Sequence, residues 1–289
     1  MCSVLIPKIS IVTPSYNQGL FLEDTILSVV GQNYPNLEYI IMDGGSEDNS
    51  VEIIKKYEKY LAYWVTEKDD GQSYAINKGF QKATGDILGW LNSDDMYLPG
   101  TLNHVGKKLD PDSAQLLFGN SIHLKEEGNI YGSEVIKWHQ ESNIFLFDYV
   151  IQPSTFWTKR TWETVGSLDE QLHYTFDWDW FIRAKISGVR FKPENRPLSI
   201  FRLHSDIKTF TGGKPRLKEI SRIYKTYSSE KYEKLFFRCH KRALKRKLVM
   251  TLFNYFKKAS FVRIIIKIFY PILSIPYKYY EIRDVLHMR

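Results

Sequence analysis

Cysteine is scarce. The 289-residue chain holds two, Cys2 and Cys239. Two distant thiols build neither a disulfide scaffold nor a four-cysteine zinc site. Met1 to Pro7 is too short and uncharged to read as a secretory leader, so the expectation is a cytoplasmic protein. Glycine-rich phosphate loops are missing as well. Neither GxGxxG nor GxxxxGK[ST] occurs in the N-terminal half, which argues against a nicotinamide dehydrogenase and a P-loop enzyme. No apolar run reaches the ~20 residues of a membrane span, because Lys, Arg, Pro271 and Pro276 interrupt the C-terminal stretch. With 43% hydrophobic and 25% charged residues, the composition excludes disorder, collagen and coiled coil as the main architecture.

What the chain does have is an uneven charge. Residues 1–213 carry 20 basic and 28 acidic side chains, whereas residues 214–289 carry 20 basic and 5 acidic. An acidic body therefore precedes a basic tail, and such a tail suits an anionic surface. Aromatic residues reach 15%. Rings stack on sugars and bases, but they also fill cores.

The first hundred residues alternate strand and helix. Lys8 to Thr13, Leu37 to Met42, Tyr63 to Thr66 and Asp86 to Leu91 are short apolar runs of strand character. Helical spacing follows in Leu20 to Val30, in Val51, Ile53, Ile54 and Tyr57, and in Ser73 to Lys82. This order predicts an α/β fold on a mostly parallel, doubly wound sheet. Ligands of such sheets bind at the carboxyl ends of the strands. Those ends here are polar: Thr13 to Asn17, Asp43 to Ser46, Asp69-Asp70 and Asp94-Asp95. Adjacent carboxylates after the apolar Leu88 to Leu91 repel one another unless a cation sits beside them, which points Asp94 and Asp95 to a metal role.

Four motifs carry a resemblance. They are Ile9-Ser-Ile-Val-Thr-Pro-Ser-Tyr-Asn17, Glu38-Tyr-Ile-Ile-Met-Asp-Gly-Gly-Ser-Glu-Asp-Asn-Ser50, Asp70-Gly-Gln-Ser-Tyr-Ala-Ile-Asn-Lys-Gly79 and Thr84-Gly-Asp-Ile-Leu-Gly-Trp-Leu-Asn-Ser-Asp-Asp95. In this order and spacing, residues 8–210 resemble family 2 glycosyltransferases, and most of all those of bacterial O-antigen and capsule polysaccharide biosynthesis. The resemblance implies a GT-A fold and inverting transfer from a nucleotide-diphosphate sugar, commonly UDP-linked. It implies that Thr13, Pro14 and Tyr16 line the base and ribose pocket and that Asp43 accepts from the base. It groups Asp70, Asn77 and Asp94 with the nucleotide, and gives Asp95 a divalent cation, Mg²⁺ or Mn²⁺, on the diphosphate. The family's acidic signature, usually written DxD, has Ser93 at its first position here.

The second half should supply the base and the acceptor site. Thr175-Phe-Asp-Trp-Asp-Trp-Phe-Ile-Arg183 opens a helix with acids in its first turn. Inverting transfer needs a base for the acceptor hydroxyl. By resemblance it is Asp177, although Phe176 replaces the acid that often precedes it. Asp179 is the second candidate, and its i,i+4 spacing to Arg183 also fits an ion pair. Gln152 and Trp157 read either as acceptor or donor-sugar contacts or as a satisfied amide and a core ring. His204 resembles the family's late histidine near the metal, or is structural. Thr211-Gly-Gly-Lys214 suits a hinge.

Residues 1–213 thus read as the transferase domain, with 8–110 as its nucleotide-sugar half and 111–213 as its acceptor half. Residues 214–289 read as a helical extension. Within it, Arg238 to Lys247 are strongly basic, and Leu252, Tyr255, Ala259, Val262, Ile266 and Phe269 form an apolar seam. Such a segment lies on an anionic membrane at the inner face, through residues 238–289, or packs on protein, a second copy included. No nucleic-acid motif accompanies the charge. The expected partners are a nucleotide-sugar and a saccharide or lipid-linked saccharide acceptor. The competing readings are a sugar-phosphate nucleotidyltransferase and a catalytically silent sugar-nucleotide-binding scaffold.

Overall fold

The computed structural model describes residues 6–125, 128, 130–205 and 207–241. The chain forms two compact units, Met1–Glu141 with Tyr149–Glu219, and Ser142–Asp148 with Ile220–Arg289.

In the first unit β1 (Ile9–Ser15), α1 (Leu22–Val30), β2 (Leu37–Asp43), α2 (Ser50–Lys56), β3 (Tyr63–Thr66), α3 (Gln72–Lys82) and β4 (Ile87–Trp90) alternate as the apolar runs predict. There follow β5 (Met96–Tyr97), α4 (Thr101–Lys108), β6 (Gln115–Lys125), β7 (Ile130–Gly132) and α5 (Val135–Glu141). The remaining elements are β8 (Thr155–Thr158), α6 (Lys159–Val165), α7 (Phe176–Ile186), β9 (Arg190–Leu203), α8 (Lys208–Thr211) and α9 (Gly213–Tyr227), whose later turns belong to the second unit.

One sheet runs in the order β3-β2-β1-β4-β8-β6-β9-β5, with β7 on β6. Strands β1 to β4 are mutually parallel. Every loop that leaves them at the carboxyl end therefore opens on one edge. Beyond β4 the pairing is mixed: β8 is antiparallel to β4 and β6, β9 parallel to β6, and β5 antiparallel to β9.

Alternation along the strands divides the core. Ile9 and Ile11 of β1, Tyr39 and Ile41 of β2 and Ile87 of β4 join Leu22, Ile26 and Val29 of α1 and Leu102 and Val105 of α4 in one buried cluster. A second cluster is aromatic. The Trp157 ring lies 5.3 Å from Trp90, 4.7 Å from Trp180 and 5.7 Å from Phe80, centroid to centroid. Trp157 is fully buried, and among the described residues its indole N–H finds no acceptor. It is a core residue and not a sugar contact.

Within the second unit, Tyr224 donates its hydroxyl to the Leu146 carbonyl at 2.9 Å, and its ring stands 5.7 Å from Phe236. The apolar seam from Leu252 to Phe269, and with it most of the segment assigned to a membrane surface, lies outside the described residues. Among the described residues no helix is long and apolar enough to cross a membrane.

Truncating Trp157 to alanine removes the centre of the aromatic cluster. The loss should be about 3–5 kcal/mol of stability, as for large aromatic deletions in well-packed cores. Thermal unfolding followed by near-UV circular dichroism checks this, and an unchanged melting temperature would place the ring outside the core.

Candidate active site

The β2 strand ends on Asp43, which is buried and folds the loop after it. Its Oδ2 accepts from the Gly45 and Ser46 amides at 3.2 and 2.9 Å and from the Thr66 hydroxyl at 2.6 Å. Its Oδ1 accepts from the Ser46 hydroxyl at 2.6 Å. Four donors thus hold this carboxylate. The loop after β1 is tied to the same turn. The Asn17 amide donates to Ser46 Oγ at 2.8 Å, the Glu47 amide to Asn17 Oδ1 at 2.9 Å, and the Gly19 amide to Asp48 at 2.8 Å. The loop after β3 closes over it. A Cβ on Gly44 would stand 2.8 Å from Asp69 Oδ2, so only glycine lets that carboxylate so close. Burial raises the Asp69 pKa, and the charges of Asp43 and Asp70 push the same way. Asp70 itself is exposed, and Tyr16 stands out at 60% exposure.

The loop after β4 is held from several sides. The Thr25 hydroxyl reaches the Ser93 and Asp95 carbonyls at 2.9 and 2.7 Å. The Gln152 amide donates to the Trp90 carbonyl at 2.8 Å and accepts from Asn92 at 3.2 Å, while Gln72 donates to Asn92 at 2.8 Å. Gln152 therefore braces the loop. Asp95 has no exposed surface. Its Oδ1 accepts from the Arg202 amide at 3.1 Å, and its Oδ2 has only a long 3.5 Å contact with Asn92. Burial lifts its pKa well above the carboxylate range, with the Asp94 charge adding to this. Asp94 Oδ2 lies 3.0 Å from His204 Nε2, at the end of β9.

These groups fit a divalent cation. Asp95 Oδ2 is a buried carboxylate oxygen with one weak contact. Asp94 Oδ2 and His204 Nε2, 3.0 Å apart, are within hydrogen-bond distance of each other beside it. Among the described residues no three acidic, histidine or cysteine side chains are grouped so as to hold a metal ion by themselves. Further oxygens must come from water or from a ligand, as is usual where Mg²⁺ meets phosphates.

The helix α7 carries Asp177 in its first turn. The side chain is half-buried, and its Oδ1 accepts from the Trp178 amide at 2.8 Å. Burial raises its pKa to about 6; the Glu219 charge adds to this, and Arg216 opposes it. Asp179, two residues on in the same first turn, is committed elsewhere. It is buried and pairs with Arg183 Nε at 2.8 Å. The other guanidinium nitrogens donate to the Val165 and Ser167 carbonyls, both at 2.8 Å. This pair ties α7 to the turn after α6.

Two residues assigned to the nucleotide lie elsewhere. Thr13 is fully buried on the Ile9–Ile11 face of β1, its hydroxyl 3.1 Å from the Tyr39 hydroxyl. Asn77 is buried in α3, where it exchanges hydrogen bonds with the Leu168 backbone at 3.0 and 2.9 Å and donates to Glu170 at 2.8 Å. Both support the loops without facing the crevice. Pro14 is also buried, in the last turn of the strand.

Two residues were missed. Lys208 of α8 feels the charges of Asp69, Glu219, Asp94 and Asp177, and desolvation nonetheless lowers its pKa. One ammonium thus feels carboxylates from four segments, the loops after β3 and β4 and the helices α7 and α9. Glu219 of α9 accepts from the His173, Tyr174 and Thr175 amides at 2.9, 2.8 and 3.1 Å. It is the one acid among the five bases between Lys214 and Lys225, but nothing in that spacing points to residues 173–175.

Comparison with known proteins adds a family and a fold. A family model described as Glycosyl transferase family 2 matches residues 10–160, just over half of the chain. The GalNAc(5)-diNAcBac-PP-undecaprenol beta-1,3-glucosyltransferase of Campylobacter jejuni is 29% identical over 128 residues, 43% of this chain and 41% of that protein. The chain spans 62% of the length of two curated relatives that it matches over 203 residues. Among solved structures, S. aureus TarS 1-349 in complex with UDP-GlcNAc has a TM-score of 0.62 at 15% identity, covering 76% of this chain and 65% of that one. The mannosyltransferase PcManGT from Pyrobaculum calidifontis, in complex with GDP-Man and Mn²⁺, has 0.60 at 16%, covering 77% and 64%. These likenesses show a shared fold, the GT-A arrangement expected from the motifs.

The raised Asp177 pKa has a consequence for stability. The carboxyl ionises near pH 3.8 when unfolded and near 6 when folded. Between these values the native state binds more protons, so stability falls as pH rises. Asp177→Asn, which can still accept from Trp178, should therefore melt higher than the parent at pH 8 and equally at pH 4. Melting temperatures across that range check this.

Proposed function

The chain belongs to glycosyl transferase family 2, and from that premise we propose that it transfers a sugar from a nucleoside-diphosphate sugar to an acceptor hydroxyl with inversion at C1. The donor is probed first among UDP-sugars. The acceptor class is a saccharide or lipid-linked saccharide of cell-surface polysaccharide biosynthesis, in keeping with a relative named for an undecaprenol-linked substrate. One observation carries this reading: a half-buried carboxyl of pKa about 6 at the start of α7, facing the same lysine as the acidic ends of the parallel strands.

The roles follow from position. Asp177 takes the proton of the attacking hydroxyl, because its raised pKa makes it a better proton acceptor than an ordinary carboxylate and leaves it ionised at neutral pH. The Asp43 turn and Tyr16 border the nucleoside side of the crevice. Asp95, with His204 as the second candidate, would hold Mg²⁺ or Mn²⁺, which would supply neutralisation of the diphosphate charge on bond breaking. Lys208 adds a fixed positive charge beside the same leaving group. Gln152, Thr25 and Arg202 keep the β4 loop in place.

With a productive donor and acceptor, kcat/KM should rise with pH through about 6 and then level off, as one base loses its proton. Asp177→Asn should lower kcat about 10²–10⁴-fold with nucleotide binding retained, and Asp179→Asn should keep the pH midpoint while losing stability. The anomeric configuration of the product, read by NMR, must be opposite to that of the donor. Retention, or a pH profile unchanged in Asp177→Asn, would contradict this reading. Nucleotide bound with no turnover on any donor would return the scaffold reading.

A further inference from the structure

Asp177 sits where a turn meets a helix, and its own Oδ1 holds the Trp178 amide of the first turn at 2.8 Å. Thr175, the residue before α7, makes no side-chain cap with the helix amides. A base at this junction moves with the turn before it unless that turn is held. The missing support comes from another element. Glu219 lies in the second turn of α9, 42 residues later in the chain. Its Oε1 accepts from the His173 amide at 2.9 Å. Its Oε2 accepts from the Tyr174 amide at 2.8 Å, the Thr175 amide at 3.1 Å and the Thr175 hydroxyl at 3.2 Å. One carboxylate therefore gathers four donors from three consecutive residues, all immediately before α7.

The seat of α9 against this turn is close at a second point. Gly212 joins α8 to α9, and a Cβ there would stand 2.7 Å from Tyr174 Cε1. Tyr174 is thus held by its backbone amide at Glu219 and by its ring at Gly212. Of the Gly-Gly pair, which the sequence suggests as a hinge, Gly212 is closely packed, whereas Gly213 adopts a positive φ of 45° with open space where a Cβ would stand.

We propose that Glu219 is the positioning residue for the catalytic base: by gathering the residue 173–175 donors it fixes the start of α7 and aims Asp177 into the crevice. The proposal rests on the reading of Asp177 as the base. Glu219 acts through Asp177 and touches no reacting atom. It also acts by charge. The groups that bear on Asp177 are Glu219 and Arg216 from α9 and Lys208 from α8, and of these only Glu219 raises its pKa. A carboxylate that both orders the turn and repels the Asp177 negative charge keeps the base aimed and basic together.

Glu219→Gln separates the two effects. Its amide oxygen can keep the Tyr174 and Thr175 bonds, while the charge is gone. Glu219→Ala loses both. For Glu219→Gln the expected result is a pH midpoint of kcat/KM lower by about 0.5 unit with kcat on the plateau within about threefold of the parent. For Glu219→Ala kcat should fall at least tenfold with donor KM unchanged, since the donor loops are untouched. Melting curves for both variants confirm that the fold persists at the assay temperature. A parent midpoint that does not depend on Asp177 defeats the reading of the base. An Asp177-dependent midpoint that stays put in Glu219→Gln, or a Glu219→Ala loss confined to donor KM, defeats this proposal alone.

Discussion

Negative charge crowded at one sheet edge is the constraint on which the arrangement depends. Parallel pairing of β1 to β4 brings Asp43, Asp69, Asp94 and Asp95 to the same side. Like charges held close in a partly dry crevice repel strongly. Each carboxylate has its own settlement. Asp43 is absorbed by the hydrogen bonds of its turn, Asp94 leans on His204, and Asp95 is sealed behind Arg202 and Asn92. What they share is a field that Lys208 only partly offsets. Such a site favours a ligand that arrives with its own cation, and a diphosphate carrying a divalent metal answers that description.

The same logic separates the two acids of α7. Both lie in its first turn, and both are within reach of the helix dipole. Asp179 has an arginine that is itself locked by two carbonyls, which makes a structural pair. Asp177 has burial, a counter-charge from Arg216 and a like charge from Glu219. On the proposed reading, that environment suits Asp177 rather than the salt-bridged Asp179 to take the acceptor's proton.

Much of this was legible in the residues. The strands β1 to β4 are short, β-branched and bounded by turn signals, so their number and order could be read directly. The acids at their ends could be placed on one edge from parallel topology alone. Side-chain facing was harder. Period-two alternation puts Thr13 on the face of Ile9 and Ile11, and that rule describes its burial better than the family resemblance does. Trp157 belongs to a four-residue strand between antiparallel neighbours, too short for a pattern to declare both faces buried. Glu219 was hidden for a different reason. Its partners are backbone amides far along the chain, and no local spacing records such a contact.

The central claim is that the crevice holds a nucleoside diphosphate together with a divalent cation through Asp95. Calorimetric titration of UDP, GDP and dTDP in Mn²⁺ and in EDTA, on the parent and on Asp95→Ala, tests it most directly. One of these nucleotides should bind in Mn²⁺ and lose at least tenfold in affinity in EDTA or in the variant. Binding that is indifferent to both, or no binding of any of the three, would contradict it.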